Sequence, residues 1–562
     1  MPGSNRRGST TERSTTLGST TQRRSRSASP GRWVAVVALS SAILAGCSAT
    51  SPARNADATG STTSAPATSG TVPTAPAVPT TPGPWDWPTY GHDAQHTFHG
   101  RTTLTETTVK TLRKAWVFTT GDAVTATPTV VDGVVYVGSW DDYFYAIDLE
   151  TGALRWKVRL KSQNAVTPYP GEVHRNLTSD GGLVTSSAWF EPAAGTRPAL
   201  VIFGGGYTIY ALTAATGAVY WEHDYTGLPE QPASPDTDGT RIFSSPVVED
   251  GTVLFGVDVD GEAGHRGYVV GASLATGDPV WEYQTDVDAQ GHILDDGCGS
   301  VWSSGTVLPA LGLVVFGTAD CDFANTHPMA ESMIALHISD GTLAWQYKPA
   351  RPDPQCDWDF GATPNAGVDA AGTALFLGEG SKDGTYYSVD PSTGTLRWKT
   401  NVVFGGFSGG FIATTAYDGK RVYGATAIGD FGRFERNSSK QKLCDPTNPR
   451  DTLSQEPTDV SFDATTGKLT WHETLSSSFA PTTVAGGMIF SGLALSKAAI
   501  NVRDAATGNL IAQIKLPQAN WSGIATVGDA VVLGLGNTYN PVHNGVEVLT
   551  PGGDAPVVPT RP

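Results

Sequence analysis

Asp148-Leu149-Glu150-Thr151-Gly152-Ala153-Leu154-Arg155-Trp156 closes a run of apolar, strand-like residues, and the same punctuation returns six more times along the chain. The glycines stand at 152, 217, 277, 341, 394, 467 and 508, each after Thr except Gly341, which follows Asp340. Trp156, Trp221, Trp281, Trp345, Trp398 and Trp471 lie four residues beyond the first six, while Ala512 takes that place in the seventh. Trp116, preceded by Leu112-Arg113-Lys114-Ala115, matches a first copy without its turn, which makes eight units.

A period of roughly 40 to 75 residues, filled by alternating apolar runs with no helical stripe, specifies an all-β eight-bladed β-propeller built from four-stranded sheets. In the first complete unit, Thr127 to Val131 and Val134 to Gly138 flank Asp132-Gly133, a dipeptide suited to the φ > 0 positions of a tight hairpin. Tyr143 to Ile147 and the closing strand at Leu154-Arg155-Trp156 complete four strands. The repeated residues have a structural task. Asp or a substitute bonds the turn backbone, Gly takes the left-handed position, and Trp wedges between neighbouring blades.

The 562 residues divide into three parts: 1–46, a signal peptide; 47–84, a tether; and 85–555, the propeller. An Arg-rich start precedes an apolar run from Trp33 to Ala45, about the length of a signal-peptide core and short for a bilayer span. Leu44-Ala45-Gly46-Cys47 is similar to a bacterial lipobox, which implies cleavage before Cys47 and lipid on its thiol. The Ser/Thr/Ala/Pro-rich stretch after it cannot bury a core and acts as an extended tether. The expectation is an exported protein anchored to the outer face of the cell membrane. A net charge of −17 argues against nucleic acid as a partner.

Four cysteines remain besides Cys47: Cys298, Cys321, Cys356 and Cys444. Their even number in an exported chain favours disulfides, with three pairings open. Cys298 and Cys321 flank a hairpin that turns at Pro309-Ala310-Leu311-Gly312, which favours that pair and leaves Cys356 for Cys444.

The repeat, together with the lead-in Trp85-Asp86-Trp87-Pro88-Thr89-Tyr90-Gly91-His92-Asp93, resembles the pyrroloquinoline quinone (PQQ) dehydrogenase-like propellers over about residues 85 to 550. Many such propellers carry no cofactor, so this level of resemblance implies fold alone. Blade-specific segments carry the rest, and they resemble the quinone-binding members, polyvinyl alcohol dehydrogenase-like chains above all.

Gly261-Glu262-Ala263-Gly264-His265-Arg266-Gly267 resembles the stretch whose Glu ligates calcium, an oxygen-seeking cation, which would make Glu262 a ligand; a solvated hairpin tip is the other reading. Cys298-Gly299-Ser300-Val301-Trp302 leads to Gly317-Thr318-Ala319-Asp320, where the family has a Trp under the quinone and, at matching spacing, a metal-ligating Asn. Asp320 replaces that Asn and keeps an oxygen ligand. Trp302 belongs to no repeat turn and so needs a reason of its own, which stacking on a planar cofactor supplies.

Gln355-Cys356-Asp357-Trp358-Asp359-Phe360-Gly361 resembles the family's Trp-Asp motif; the resemblance makes Asp359 the general base and a metal ligand, with Asp357 its runner-up. Gly361 stands where lanthanide-dependent relatives carry Asp, which points to calcium. Gly380-Ser381-Lys382-Asp383-Gly384 matches a Lys-containing hairpin, so that Lys382 would steady charge on the reduced quinone. Gly405 and Gly406, in a glycine-rich run, would let backbone approach a flat cofactor, and Arg175 matches a quinone-contacting Arg.

Two family features are missing: the adjacent cysteine pair, and the Glu whose place falls to Thr125. No C-x-x-C-H pattern for covalent haem occurs, so electrons would pass to an external acceptor. Two functions follow as expectations: oxidation of a polyvinyl alcohol-like or small alcohol with PQQ and calcium, or a non-catalytic propeller that binds an envelope protein. The ordered, blade-specific residues favour the first.

Overall fold

The computed structural model describes residues 81–160, 184–225, 241–259, 266–321, 326–350, 357–403, 405, 409–427, 457–474, 478–494, 498–537 and 540–559. All belong to one compact unit, Ala75–Pro562. They form eight sheets arranged as blades, antiparallel throughout except where His99–Gly100 adds a short parallel strand to one of them. Blade 1 holds Thr129–Val131, Val134–Gly138, Tyr143–Asp148 and Leu154–Arg159. Blades 2 to 7 follow within 189–224, 247–284, 306–347, 365–401, 416–474 and 483–515. Blade 8 takes three strands from 524–551, and its fourth is Leu112–Thr119. That is the unit lacking a turn: Trp116 lies in the outer strand of the last blade, which closes the ring. Among the described residues no helix is long and apolar enough to cross a membrane.

The repeated turn works as a joint between blades. Each of the seven repeat glycines has φ between 68° and 78°, a left-handed conformation that side chains resist. Its N–H donates to the carbonyl four residues back at 2.7–2.8 Å, and Asp148, Asp390, Asp463 and Asp504 cap the same turns with a carboxylate. The Trp of each preceding blade then lies on that glycine, where a Cβ would fall inside the indole. Its Nε1–H donates across the seam: Trp116 to Leu149, Trp156 to Ala214, Trp221 to Leu274, Trp281 to Ile338, Trp345 to Pro391, Trp398 to Ala464 and Trp471 to Ala505, all at 2.8–3.0 Å. Between the seventh and eighth blades no such turn exists. Leu104, Val109 and Leu112 fill that seam beside Ala512, which explains the missing Trp.

Two further devices organise the axis. Main-chain N–H groups of successive innermost strands donate to the next blade's hydroxyl: Thr127 to Ser187, Ser187 to Ser245, Ser245 to Ser304, Ser304 to Thr363 and Thr363 to Thr414, at 2.8–3.1 Å. Gly523 returns to Thr127 at 3.0 Å, so the belt runs from the last blade back to the first. The lead-in segment crosses on one side of the belt. Trp87 bonds Val130, Pro88 bonds Phe190, Ala94 bonds Val307, Gln95 bonds Ala366, Thr97 bonds Tyr417 and Phe98 bonds Val484. Each contact falls a few residues after the belt position, so the segment plugs that end of the channel. The residues just before the belt face the other end.

Side chains pack between the blades rather than within them. Tyr136 and Phe144 of blade 1 meet Phe190, Phe203 and Tyr210 of blade 2, with Phe144 stacked on Phe203 at 3.9 Å. Two expectations follow. Gly394→Ala, which places a methyl against Trp345 at a positive φ, should lower stability by about 2 kcal/mol or more, read as a fall in thermal midpoint. Glu547 sits in the closing blade, 3% exposed with Oε2 unpartnered, and burial pushes its carboxyl up to about 7. Its ionisation therefore opposes folding: stability contributed by the neutral acid is full below about 4.5 and is lost as pH rises toward 7. Glu547→Gln should remove a decline on the order of 2 kcal/mol across that window, measured by denaturant titration at several pH values.

Candidate active site

Three loops of blades 4 and 5, on the side of the belt away from the lead-in segment, bring the site together. The first carries Trp302, two residues before the belt hydroxyl of Ser304, and the second carries Asp359 and Gly361 before Thr363. The third is the turn 381–384 between two strands of blade 5, Ala374–Gly380 and Thr385–Val389, and it presents Lys382. Asp320 follows the blade 4 strand Leu313–Gly317.

Asp359 is the hub. It is 3% exposed, and its Oδ1 accepts the main-chain N–H of Asp320 at 2.6 Å. Its Oδ2 accepts the indole N–H of Trp302 at 3.1 Å and an ion pair from Lys382 Nζ at 2.7 Å. Lys382 also pairs with Asp357 Oδ1 at 2.8 Å, and its ammonium lies 5.4 Å from the centre of the Trp302 ring. The main-chain N–H of Lys382 donates to the carbonyl of Asp359 at 3.0 Å, which docks the hairpin independently of the side chain.

The electrostatics separate the three carboxylates. Burial works to raise the pKa of Asp359, but the adjacent ammonium outweighs it and holds the group below the usual carboxylate range. Asp357 is pushed up to about 8, by burial first and then by the charge of Asp359. Asp320 is raised well above its ordinary value for the same two reasons. Burial also opposes the charge on Lys382, yet the carboxylates of Asp357 and Asp359 hold its pKa well above normal. One oxygen from each of Asp320, Asp357 and Asp359 falls within 4.8 Å of the others, a donor set suited to a hard cation.

Trp302 owes its position to a glycine. A Cβ at Gly361 would overlap the six-membered ring, so the indole lies directly over that backbone. The sequence comparison assigned Gly361 by what it lacks; the structure gives it a positive reason. Gly405 and Gly410 likewise pack against the main chain of Asp383 and Lys382 and support the hairpin from below.

Cys298 and Cys321 are joined by a disulfide with a Cα–Cα distance of 4.9 Å, tying the loop that carries Trp302 to the one that carries Asp320. Thr125 accepts a hydrogen bond from Trp140 Nε1 at 2.9 Å. Cys47, Arg175, Glu262, Cys356, Gly406 and Cys444 lie outside the described residues, as does most of the polar insertion near 437–457.

Two features escaped the sequence. Asp357 joins the cluster as a full partner of Lys382, a relation only the fold could show because 25 residues separate them. Glu379 is fully buried between blades 4 and 5 beside Gly317 and Phe360, with neither oxygen hydrogen-bonded, and burial pushes its carboxyl well up. The pattern Gly378-Glu379-Gly380 inside a strand was its one visible sign.

With the fold and this constellation in hand, comparison with known proteins is direct. Residues 87–401 match the family model described as "Glucose/ethanol/alcohol dehydrogenase, beta-propeller domain", and 382–537 match one described as "Outer membrane protein assembly factor BamB". The chain belongs to the first of these, the PQQ β-propeller family, whose model covers more than half of it. It is 24% identical over 356 residues to a polyvinylalcohol dehydrogenase of a Pseudomonas species, covering 57% of this chain and 51% of that one. To the quinoprotein alcohol dehydrogenase PedH of Pseudomonas putida it is 25% identical over 286 residues, 45% of this chain and 43% of the relative. The chain thus spans about half the length of the curated relatives it matches. Among solved structures, the quinohemoprotein alcohol dehydrogenase of Comamonas testosteroni superposes with a TM-score of 0.63 at 19% identity, over 85% of this chain and 82% of that one. That likeness establishes the eight-bladed fold.

The geometry generates one structural test. Gly361→Ala should displace Trp302 and break its bond to Asp359 while leaving the blades folded. The expected outcome is an altered Trp fluorescence and near-ultraviolet dichroism with a thermal midpoint lowered by only a few degrees.

Proposed function

We propose that the protein is an exported quinoprotein that oxidises an alcohol, with PQQ as electron acceptor and calcium as assisting cation. One observation carries this reading: a half-buried indole, an Asp carboxyl and a Lys side chain, from three separate loops, converge within bonding distance on the side of the belt away from the lead-in segment. Such a group has no task in holding blades together, since the repeat Trp and Gly already do that.

The residues suit both absent groups. Trp302, seated on Gly361, offers the flat aromatic face that remains, and Lys382 stands near the ring with a charge for quinone oxygens. Asp320, Asp357 and Asp359 supply oxygen ligands, and Glu262 is the further ligand the family resemblance implies. Arg175, Gly405 and Gly406 complete the proposed quinone-binding set. Bound PQQ supplies a two-electron acceptor for hydride.

The chain's own part is to hold and move a proton. A neighbouring positive charge, that of Lys382 in the metal-free protein, keeps Asp359 ionised, and the N–H groups of Trp302 and Asp320 fix its orientation, so its carboxylate is ready to take the hydroxyl proton of an alcohol. A base that stays charged while nine-tenths buried requires such partners. Asp357, on the same ammonium, is the alternative acceptor.

The lipobox at Cys47 and the Ser/Thr/Ala/Pro tether support a lipid-anchored enzyme at the outer face of the membrane, passing electrons to an external acceptor. The match of 382–537 to an assembly-factor model favours a second reading, a propeller that binds an envelope protein without catalysis.

Adding PQQ and calcium to the tether-truncated protein, then following Trp quenching and dye-coupled oxidation of small alcohols and poly(vinyl alcohol), separates the two. Calcium-dependent quenching with turnover supports the dehydrogenase. Asp359→Asn should then retain quenching but lose about 10²–10⁴-fold in dye reduction. Absence of cofactor binding by folded protein would favour the envelope partner.

A further inference from the structure

A divalent cation placed among Asp320, Asp357 and Asp359 would meet a competitor already there. Lys382 Nζ holds Asp357 Oδ1 at 2.8 Å and Asp359 Oδ2 at 2.7 Å, so the ammonium uses one oxygen from each of two proposed ligands. The three side chains are 13%, 16% and 4% exposed, too enclosed for water to carry the charge balance. We propose that Lys382 is the site's resident cation: it fills the metal's place in the metal-free protein, and the metal binds by displacing it. This rests on the reading of the three carboxylates as the metal site.

The geometry allows such an exchange at small structural cost. Lys382 is fixed by its main chain, through its N–H to the Asp359 carbonyl at 3.0 Å and by the close backs of Gly405 and Gly410. Only the flexible four-carbon stem has to move. The Trp302 ring, 5.4 Å away, offers a face on which a displaced ammonium keeps a favourable partner. Three carboxyl oxygens converge on the place the ammonium holds, and a divalent ion would take them together. Placed together, the ammonium and the metal repel each other in a poorly screened site, so Lys382 must weaken metal binding as long as it stays. A Lys that served only to arrange the carboxylates would have the opposite effect, since its loss would scatter the ligands.

That opposition of sign is the test. Calcium alone is titrated calorimetrically into wild type and Lys382→Met at pH 8, with terbium emission sensitised through Trp302 as an independent readout. The expected result is a Kd at least ten-fold tighter in Lys382→Met. In chelator the variant should melt below wild type and recover when calcium is added. A Kd unchanged or weaker overturns the proposal, and Lys382→Gln, which keeps polarity without charge, provides the same comparison should the Met variant fold poorly. Asp320→Asn isolates the underlying reading, because it should weaken calcium in both backgrounds. If wild type and variant bind neither calcium nor terbium at millimolar concentration, the metal site and the exchange fall together.

Discussion

One carbonyl at each of seven seams carries the architecture. The residue just inside the repeat turn, such as Leu149 or Ala214, gives its carbonyl outward to the preceding blade's Trp and, everywhere but at Pro391, its N–H inward to its own blade's first hairpin. A single residue thus commits a blade to its own fold and to its neighbour. Because the indole also covers the turn glycine, the joint is at once a hydrogen bond, an apolar contact and a steric requirement for Gly. Everything nearer the axis, including the belt of hydroxyls and the site loops beside it, inherits its spacing from these seven joints.

This division of labour freed the loops for chemistry. The belt fixes the start of the innermost strands of blades 8 and 1 to 6, and in blades 4 and 5 the residue two positions earlier belongs to the site. In blade 4 that position is Trp302 and in blade 5 it is Gly361, and the first lies over the second. Neighbouring blades use equivalent positions in opposite ways, one to supply a ring and the next to make room for it. Lys382 joins from a hairpin of the same blade as Asp359, which is why ring, acid and ammonium can bond within one small volume.

Much of this was legible in the residues and some was not. The repeat gave blade number and order because turn chemistry is local: Asp, Gly and Trp act within nine residues. Even the odd units were readable, since the orphan Trp116 and the Ala512 exception are the two ends of one missing turn. Trp302, Asp320, Asp359 and Lys382 could be picked out only because they depart from the repeat at places a family resemblance marks. What stayed hidden depends on contacts between distant segments. The lead-in bonds strands of six blades with little periodic pattern, Asp357 meets Lys382 only across the loops of blade 5, and Glu379 shows in sequence only as a Glu between two glycines.

The closing blade couples the two ends of the propeller in time as well as in space. Leu112 pairs with Pro551, and the lead-in before it reaches Val484 and the last blades, so the earliest-made part of the ring has its partners in the latest-made part. Seven blades can form as the chain emerges, each docking on the one before, but the ring stays open and its first strand unpaired until the final segment arrives. Pairing at such separation is slow. During synthesis the propeller is therefore a spiral with a sticky edge at each end, and whatever factor accompanies the nascent chain must shield those edges until the clasp can shut.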